Sequence, residues 1–197
     1  MRVRISSLAQ MRTFAEVLAG NLRAGDLLIL SGNLGAGKTT FTQSLGRALG
    51  VAGRITSPTF VIAREHPSLG EGPALVHVDA YRLSDAEELE DLDLDSELDE
   101  SITVVEWGEG LAEQLSADYL SLTITPVFEY EIGADGEGDA DVTDGEGDAD
   151  GDDEPEPDEH RIVDLHGHGD TWGERWQRLD ASIRAFVTVT ADEEDTA

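Results

Sequence analysis

Residues 32–39 read Gly-Asn-Leu-Gly-Ala-Gly-Lys-Thr, which fills every fixed position of G-x-x-x-x-G-K-[ST]. The chemistry of that spacing is phosphate binding. Gly32, Gly35 and Gly37, with Ala36 in the same stretch, let backbone N–H groups converge on an anionic phosphate chain. Lys38 brings an ammonium to the β- and γ-phosphates, and Thr39 offers a hydroxyl to Mg2+. Lys38 is the sole lysine among thirteen basic residues. A nucleotide hydrolase needs two further things. One is a carboxylate at a strand end to hold Mg2+ or its waters; the other is a group that orients the attacking water. Two apolar runs end in acids, Leu75-Val-His-Val-Asp79 and Ile102-Thr-Val-Val-Glu106. Ligands of open α/β sheets gather at the carboxyl ends of strands, so Asp79 and Glu106 are expected to face Lys38 and Thr39. The alternative is that each is an ordinary turn residue.

The elements that must position these groups are readable on both sides of the loop. Asp26-Leu-Leu-Ile-Leu-Ser31 is a short apolar run of buried-strand type. Residues 40–49 place Phe41, Leu45 and Ala48 at helical spacing, and Gly50 suits a helix C-terminus. Strand, glycine loop and helix in that order aim a helix N-terminus at phosphate. Upstream, apolar residues at 8, 11, 14, 15, 18, 19 and 22 form a helical stripe with Ser6 or Ser7 as its cap. Downstream, Ser57-Pro-Thr59 opens an extended stretch over residues 60–63, since Pro58 biases Ser57 away from helix. Residues 84–99 read as a helix with an acidic outer face. Strands are expected at 75–79, 102–106, 118–125, 127–132 and 160–165, and an amphipathic helix at 172–189 carries Trp172, Trp176, Leu179, Ile183 and Phe186. The pattern predicts an α/β phosphate-loop fold with a mixed central sheet, folded as a single domain over 1–197.

Other polar residues read two ways. Thr59 sits where phosphate-loop GTPases carry a γ-phosphate-sensing switch, or it merely starts a strand. Arg82 serves phosphate charge or pairs with the acids of 85–100. Trp107 stacks on a ligand or is a buried strand-end tryptophan. His77 shares a face with Asp79, but a lone histidine is usually structural.

Net charge is −30, unevenly spread. Residues 133–159 hold fourteen acids and no base, and residues 85–100 hold ten acids and no base. Such a surface repels nucleic acid, so tight direct binding of RNA or DNA is not expected. Asp-Gly-Glu-Gly-Asp-Ala-Asp occurs at 135 and again at 144. Two copies are too few for a calcium β-roll, and the helix-loop-helix calcium pattern fails at its glycine, which is Asp153 here. The stretch cannot bury a core and is expected to be a disordered, solvated insertion between the last strands. Residues 190–197 are expected to be an acidic tail. The chain has no cysteine, no apolar run of membrane-spanning length and no secretory-type N-terminus. It is therefore expected to be cytoplasmic, with no membrane partner.

Four blocks together resemble the bacterial TsaE (YjeE) family: residues 32–41, Ser57-Pro-Thr-Phe60, His77-Val-Asp-Ala-Tyr-Arg-Leu83 and Val105-Glu-Trp107. The likeness spans about residues 5–130. It implies a small Mg2+-dependent ATPase that serves the threonylcarbamoyladenosine modification of tRNA and docks on TsaB-like and TsaD-like proteins. By the same resemblance, Gly35 to Thr40 bind the ATP phosphates and Thr39 and Glu106 ligate Mg2+. Asp79 is the Walker B acid, Thr59 belongs to the switch, and Trp107 lies beside the nucleotide. The runner-up is a small-molecule kinase of the same loop class, and a third reading is a non-catalytic nucleotide-dependent module. The absence of Lys and Arg from 83–160 argues against a basic kinase lid. It also leaves Arg54, Arg64, Arg82 or the C-terminal helix as the expected sources of any arginine acting in cis.

Overall fold

A computed structural model describes residues 1–56, 63–83, 85–90, 92, 94, 98–129 and 158–194. Seven strands, β1 (Arg2–Ile5), β2 (Leu27–Ser31), β3 (Ala63–His66), β4 (Ala74–Asp79), β5 (Ser101–Glu106), β6 (Tyr119–Glu129) and β7 (Asp158–His168), form one sheet in the order β1-β7-β6-β2-β5-β4-β3. The central four, β6, β2, β5 and β4, run parallel to one another; β7 and β3 pair antiparallel at their two sides, and β1 pairs antiparallel with β7. All five residues of β2 are buried because helices or loops cover both faces, which is why it reads as an unbroken apolar run. Leu28 and Leu30 point into the larger core, with Phe14, Leu18, Phe41, Leu45 and Ile183. Leu27 and Ile29 point the other way, toward Val76, Val78, Leu89 and Val105.

Helix α1 (Leu8–Ala19) starts at Ser7, whose hydroxyl accepts from the Gln10 N–H at 3.1 Å, and it buries Met11, Phe14, Ala15 and Leu18. Helix α2 (Lys38–Leu49) follows the loop and ends at Gly50, which is left-handed at φ 69°. Its buried face is Phe41, Leu45 and Gly46; Ala48, expected to join them, is exposed. Gly46 is needed there, since a Cβ would stand against Ile55 Cδ1. In the acidic stretch 84–99, the described residues give a short helix α3 (Ala86–Glu90), with Leu89 and Leu94 buried.

Helix α4 (Asp170–Glu194) is longer than the periodicity predicts and covers the outer strands with Trp172, Leu179, Ile183 and Phe186. It therefore takes in the first five residues of the expected tail; 195–197 lie outside the described residues. Arg175 ties it to the start of β2 through Asp26 at 2.6 and 2.7 Å. Among the described residues no helix is long and apolar enough to cross a membrane.

Three strand expectations change. Strand β1 was not anticipated: four residues alternating exposed Arg with buried Val3 and Ile5 give little periodic signal, and the strand is fixed by pairing with β7. The two strands expected at 118–125 and 127–132 are one, β6, running through Pro126. Strand β2 stops at Ser31, opposite Thr123, so beyond that point β6 has an open edge where proline forfeits no ladder donor. The acidic stretch is also shorter at its C-terminal end than composition suggests, because Asp158 and Glu159 already pair in β7. The rest of it lies outside the described residues, as do Ser57, Pro58, Thr59 and Phe60.

Candidate functional site

The carboxyl ends of β2, β4 and β5 meet at one edge of the sheet, and the register aligns their last residues. Asp79 pairs with Glu106, and Glu106 with Leu30, one residue before Ser31 and the loop. A cleft of about 240 Å³ there is lined by Gly35, Gly37, Lys38, Thr39, Thr40, Asp79, Glu106 and Trp107. Of the residues expected to bind phosphate or metal, Gly35, Gly37, Lys38, Thr39, Thr40, Asp79, Glu106 and Trp107 line this cleft; Arg54, Arg64 and Arg82 do not, and Thr59 lies outside the described residues. Gly32 and Asn33 border a second, adjoining cleft of about 490 Å³ that extends to residues 123–126 of β6.

The loop is left-handed at Gly32, Gly35 and Gly37, with φ of 139°, 80° and 105°. At Gly32 a Cβ would also strike the carbonyl of Ile124, so both the fold and the close approach require glycine. Lys38 is buried and folds back over its own loop. Its Nζ donates to the carbonyls of Gly32 at 2.7 Å and Asn33 at 3.1 Å and lies 3.5 Å from the centre of the Trp107 indole ring. Burial lowers the Lys38 pKa, opposed by the negative charges of Glu106 and Asp79.

Glu106 is 2% exposed yet held from three sides. Thr39 Oγ1 donates to Oε2 at 2.8 Å, His77 Nε2 lies 2.8 Å from Oε1, and Thr42 Oγ1 lies 3.2 Å from Oε1 and 3.0 Å from the Lys38 carbonyl, between which its one proton is shared. A buried carboxylate requires such partners, because an unpaired one would cost several kcal/mol in desolvation. Asp79 is half-buried and turns one oxygen back to cap the following turn, accepting from the Tyr81 N–H at 3.1 Å.

Trp107 follows directly, its N–H bonded to the Leu30 carbonyl at 2.9 Å. It is the one non-glycine residue with positive φ among those described, at 61°. The tryptophan is thus held in an uncommon backbone conformation at the mouth of the cleft, its ring 5.0 Å from that of Tyr81.

Three residues belong to this site that sequence reasoning did not place there. His77, which shares a face with Asp79 but as a lone histidine has the pattern of a structural residue, sits opposite Val104, two before Asp79, and meets Glu106. Thr42 lies one helical turn beyond Thr39, the spacing that puts two hydroxyls on one face of α2, and that signal was available. The arginine that reaches the loop is Arg161 of β7, whose Nε donates to the Ala36 carbonyl at 3.0 Å. Arg161 stands outside the set, Arg54, Arg64, Arg82 and the C-terminal helix, from which an arginine acting in cis is expected, and its bond is to the loop backbone. It arrives across a sheet crossover that no local pattern reveals.

The donor set suits a hard divalent cation: a threonine hydroxyl and a carboxylate oxygen 2.8 Å apart, with a second carboxylate at the next strand end. Among the described residues no cluster of three or more His, Asp or Glu side chains could cage a metal. Mg2+ does not need one, since one or two carboxylates with substrate phosphates suffice.

Comparison with known proteins places the chain among its relatives. The family model "Threonylcarbamoyl adenosine biosynthesis protein TsaE" matches residues 5–131. A Streptomyces coelicolor protein named tRNA threonylcarbamoyladenosine biosynthesis protein TsaE is 51% identical over 176 residues, covering 89% of this chain and 99% of that one. A Bacillus subtilis protein of the same name is 40% identical over 116 residues, covering 58% of this chain and 71% of its own. In fold, the chain is similar to the crystal structure of Bacillus subtilis YdiB, with TM-score 0.60 at 24% identity over 92% of this chain and 94% of that one. With a family model spanning the phosphate loop and both strand-end carboxylates, and 51% of the aligned residues shared with a relative matched over nearly its full length, the chain belongs to the TsaE family.

Proposed function

We propose that this protein binds ATP with Mg2+ at the cleft between β2, β4 and β5, hydrolyses it slowly, and supports threonylcarbamoyladenosine modification of tRNA together with TsaB-like and TsaD-like proteins. The observation that carries the nucleotide reading is the joining of a complete phosphate loop to a strand-end carboxylate, through the 2.8 Å contact of Thr39 with Glu106. The tRNA role follows from family membership.

The residues divide the work as follows. Backbone N–H groups of the loop and of the first turn of α2 receive the phosphate oxygens. The Lys38 ammonium exchanges the carbonyls of Gly32 and Asn33 for oxygens of the β- and γ-phosphates. Thr39 and Glu106 would hold Mg2+, with Asp79 on or near it. The metal, when bound, neutralises charge on the β,γ-phosphates. Trp107 closes one side of the cleft. In hydrolysis, a water oxygen bonds to the γ-phosphorus as the bond to the β,γ-bridging oxygen breaks. ADP leaves with that electron pair, and the water proton passes to solvent or to phosphate. Lys38 stabilises the charge as it shifts.

Lys38→Ala tests this reading. It removes charge-assisted contacts worth about 1.5–3 kcal/mol each, so ATP affinity by calorimetry should fall about a hundredfold or more and turnover should vanish. Full affinity and full ATPase activity in that variant would sink the assignment. Rapid phosphorylation of a small metabolite by the wild type would favour a kinase instead.

A further inference from the structure

Arg161 is a half-buried cation on β7, between Ile5 of β1 and Pro126 of β6, with its side chain against the phosphate loop. Its Nε donates to the carbonyl of Ala36 at 3.0 Å. A Cβ on the next residue, Gly37, would lie 3.1 Å from that Nε and 3.5 Å from Cδ, so the guanidinium stem fills the space a side chain at 37 would need. No peptide bond among the described residues is cis. In a trans peptide the C=O and the next N–H point to opposite sides of the chain. An arginine that holds the Ala36 carbonyl on the β7 side therefore directs the Gly37 N–H away from β7. Gly37 is the N-cap of α2, and its carbonyl is already engaged in the first helical bond, to the Phe41 N–H at 2.8 Å. The peptide joining Ala36 to Gly37 is thus held through its carbonyl by Arg161, and the peptide that follows it is held by the first turn of α2.

We propose that Arg161 is a positioning residue for polyphosphate: by holding the Ala36 carbonyl, it turns the Gly37 N–H into the phosphate cup and adds a fixed positive charge beside it. The proposal rests on the nucleotide reading above. It names a residue from a different part of the sheet, 125 positions along the chain from the carbonyl it holds. The loop N–H groups bind phosphate well only if they are oriented before it arrives, because reorienting a peptide against competing water lowers affinity. Arginine suits the task better than lysine because its planar fork fixes the Nε–H direction.

The test uses the full chain and two ligands, MgADP and the base-free magnesium tripolyphosphate. Affinities of wild type, Arg161→Ala and Arg161→Lys would be measured by calorimetry. Selective 15N-glycine labelling would follow the Gly37 amide. The alanine variant should bind both ligands about tenfold to a hundredfold more weakly, the range for losing a charge-assisted hydrogen bond. The ligand-induced shift of the Gly37 amide should shrink, and lysine should recover part of the affinity. If the alanine variant does not fold, Arg161→Lys and Arg161→Gln decide by the same readouts. Unchanged affinities, or an unchanged Gly37 shift, would overturn the proposal. So would weakened MgADP binding with tripolyphosphate unaffected, which would put Arg161 on the nucleoside. A wild type that binds neither ligand would instead overturn the nucleotide reading on which the proposal stands.

Discussion

Glu106 and Lys38 are each fully engaged with protein groups before any nucleotide arrives. The carboxylate is met by Thr39, Thr42 and His77, and the ammonium by two carbonyls and an indole face. On the proposed reading, nucleotide and metal would enter by exchange with these partners, and the residues that stay behind would set the geometry. Were Thr39 to turn to a metal, His77 would still hold the other oxygen of Glu106, while the single Thr42 hydroxyl proton is shared between that oxygen and the Lys38 carbonyl. His77→Ala should accordingly raise the Mg2+ concentration for half-maximal ATPase by about tenfold, the usual cost of losing an outer partner of a metal ligand. It should also lower the melting temperature by several degrees, because a buried carboxylate loses a partner worth roughly 1–3 kcal/mol. His77→Gln, whose amide can donate to the same oxygen, should lose less of both. Unaltered Mg2+ dependence in the alanine variant would reduce His77 to a packing residue. Glu106→Gln keeps the shape and removes the charge. It should cut turnover far more than ATP affinity, as expected where charge matters most in the transition state. Equal losses in single-turnover rate and in binding would argue against that role.

At the scale of elements, the site was legible in the sequence wherever local pattern and local function coincide. The strand before the loop, the glycines and the helix after them form one continuous stretch, so spacing alone located Lys38 and Thr39. Asp79 and Glu106 were found because parallel strands buried on both faces read as apolar runs that stop at a polar residue. What stayed hidden depends on pairing between distant segments. Strand β1 takes its register from β7, and β6 runs through Pro126 only because β2 has already ended. Arg161 meets the loop only because β7 lies two strands from β2.

The β6–β7 hairpin makes a prediction of its own. Glu129 pairs directly with Asp158, so the strand ends are already adjacent where 130–157 begin and end. Replacing 130–157 with a two-residue Asn-Gly turn should leave the fold and nucleotide affinity intact and raise stability by on the order of 1 kcal/mol, from the smaller loop-closure entropy. Calorimetric melting of the shortened chain decides this. A fall in melting temperature, or lost ATP binding, would mean that the segment contributes contacts of its own.

For the whole molecule, charge and site chemistry point the same way. A net charge of −30 opposes the approach of both RNA and MgATP, and at the cleft the Lys38 ammonium is set against the carboxylates of Glu106 and Asp79. Arg161 is tied to the loop backbone at Ala36. If the γ-phosphate lacks a positioned cation of the arginine-finger kind, turnover is lower by roughly three to five orders of magnitude than in a completed site. The isolated protein should therefore hydrolyse ATP slowly, well below one turnover per second. On the proposed reading, adding TsaB-like and TsaD-like proteins from the same cell should raise that rate, because a partner surface would bring the completing cation. The same acidity makes the association electrostatic, so the acceleration should weaken as ionic strength rises from about 50 to 500 mM while the basal rate changes little. Steady-state ATPase assays across that salt series, with and without the partners, measure both effects. Turnover on the order of ten per second by the chain alone would reject a partner-completed site. An acceleration indifferent to salt would leave the partnership standing but remove charge as its cause.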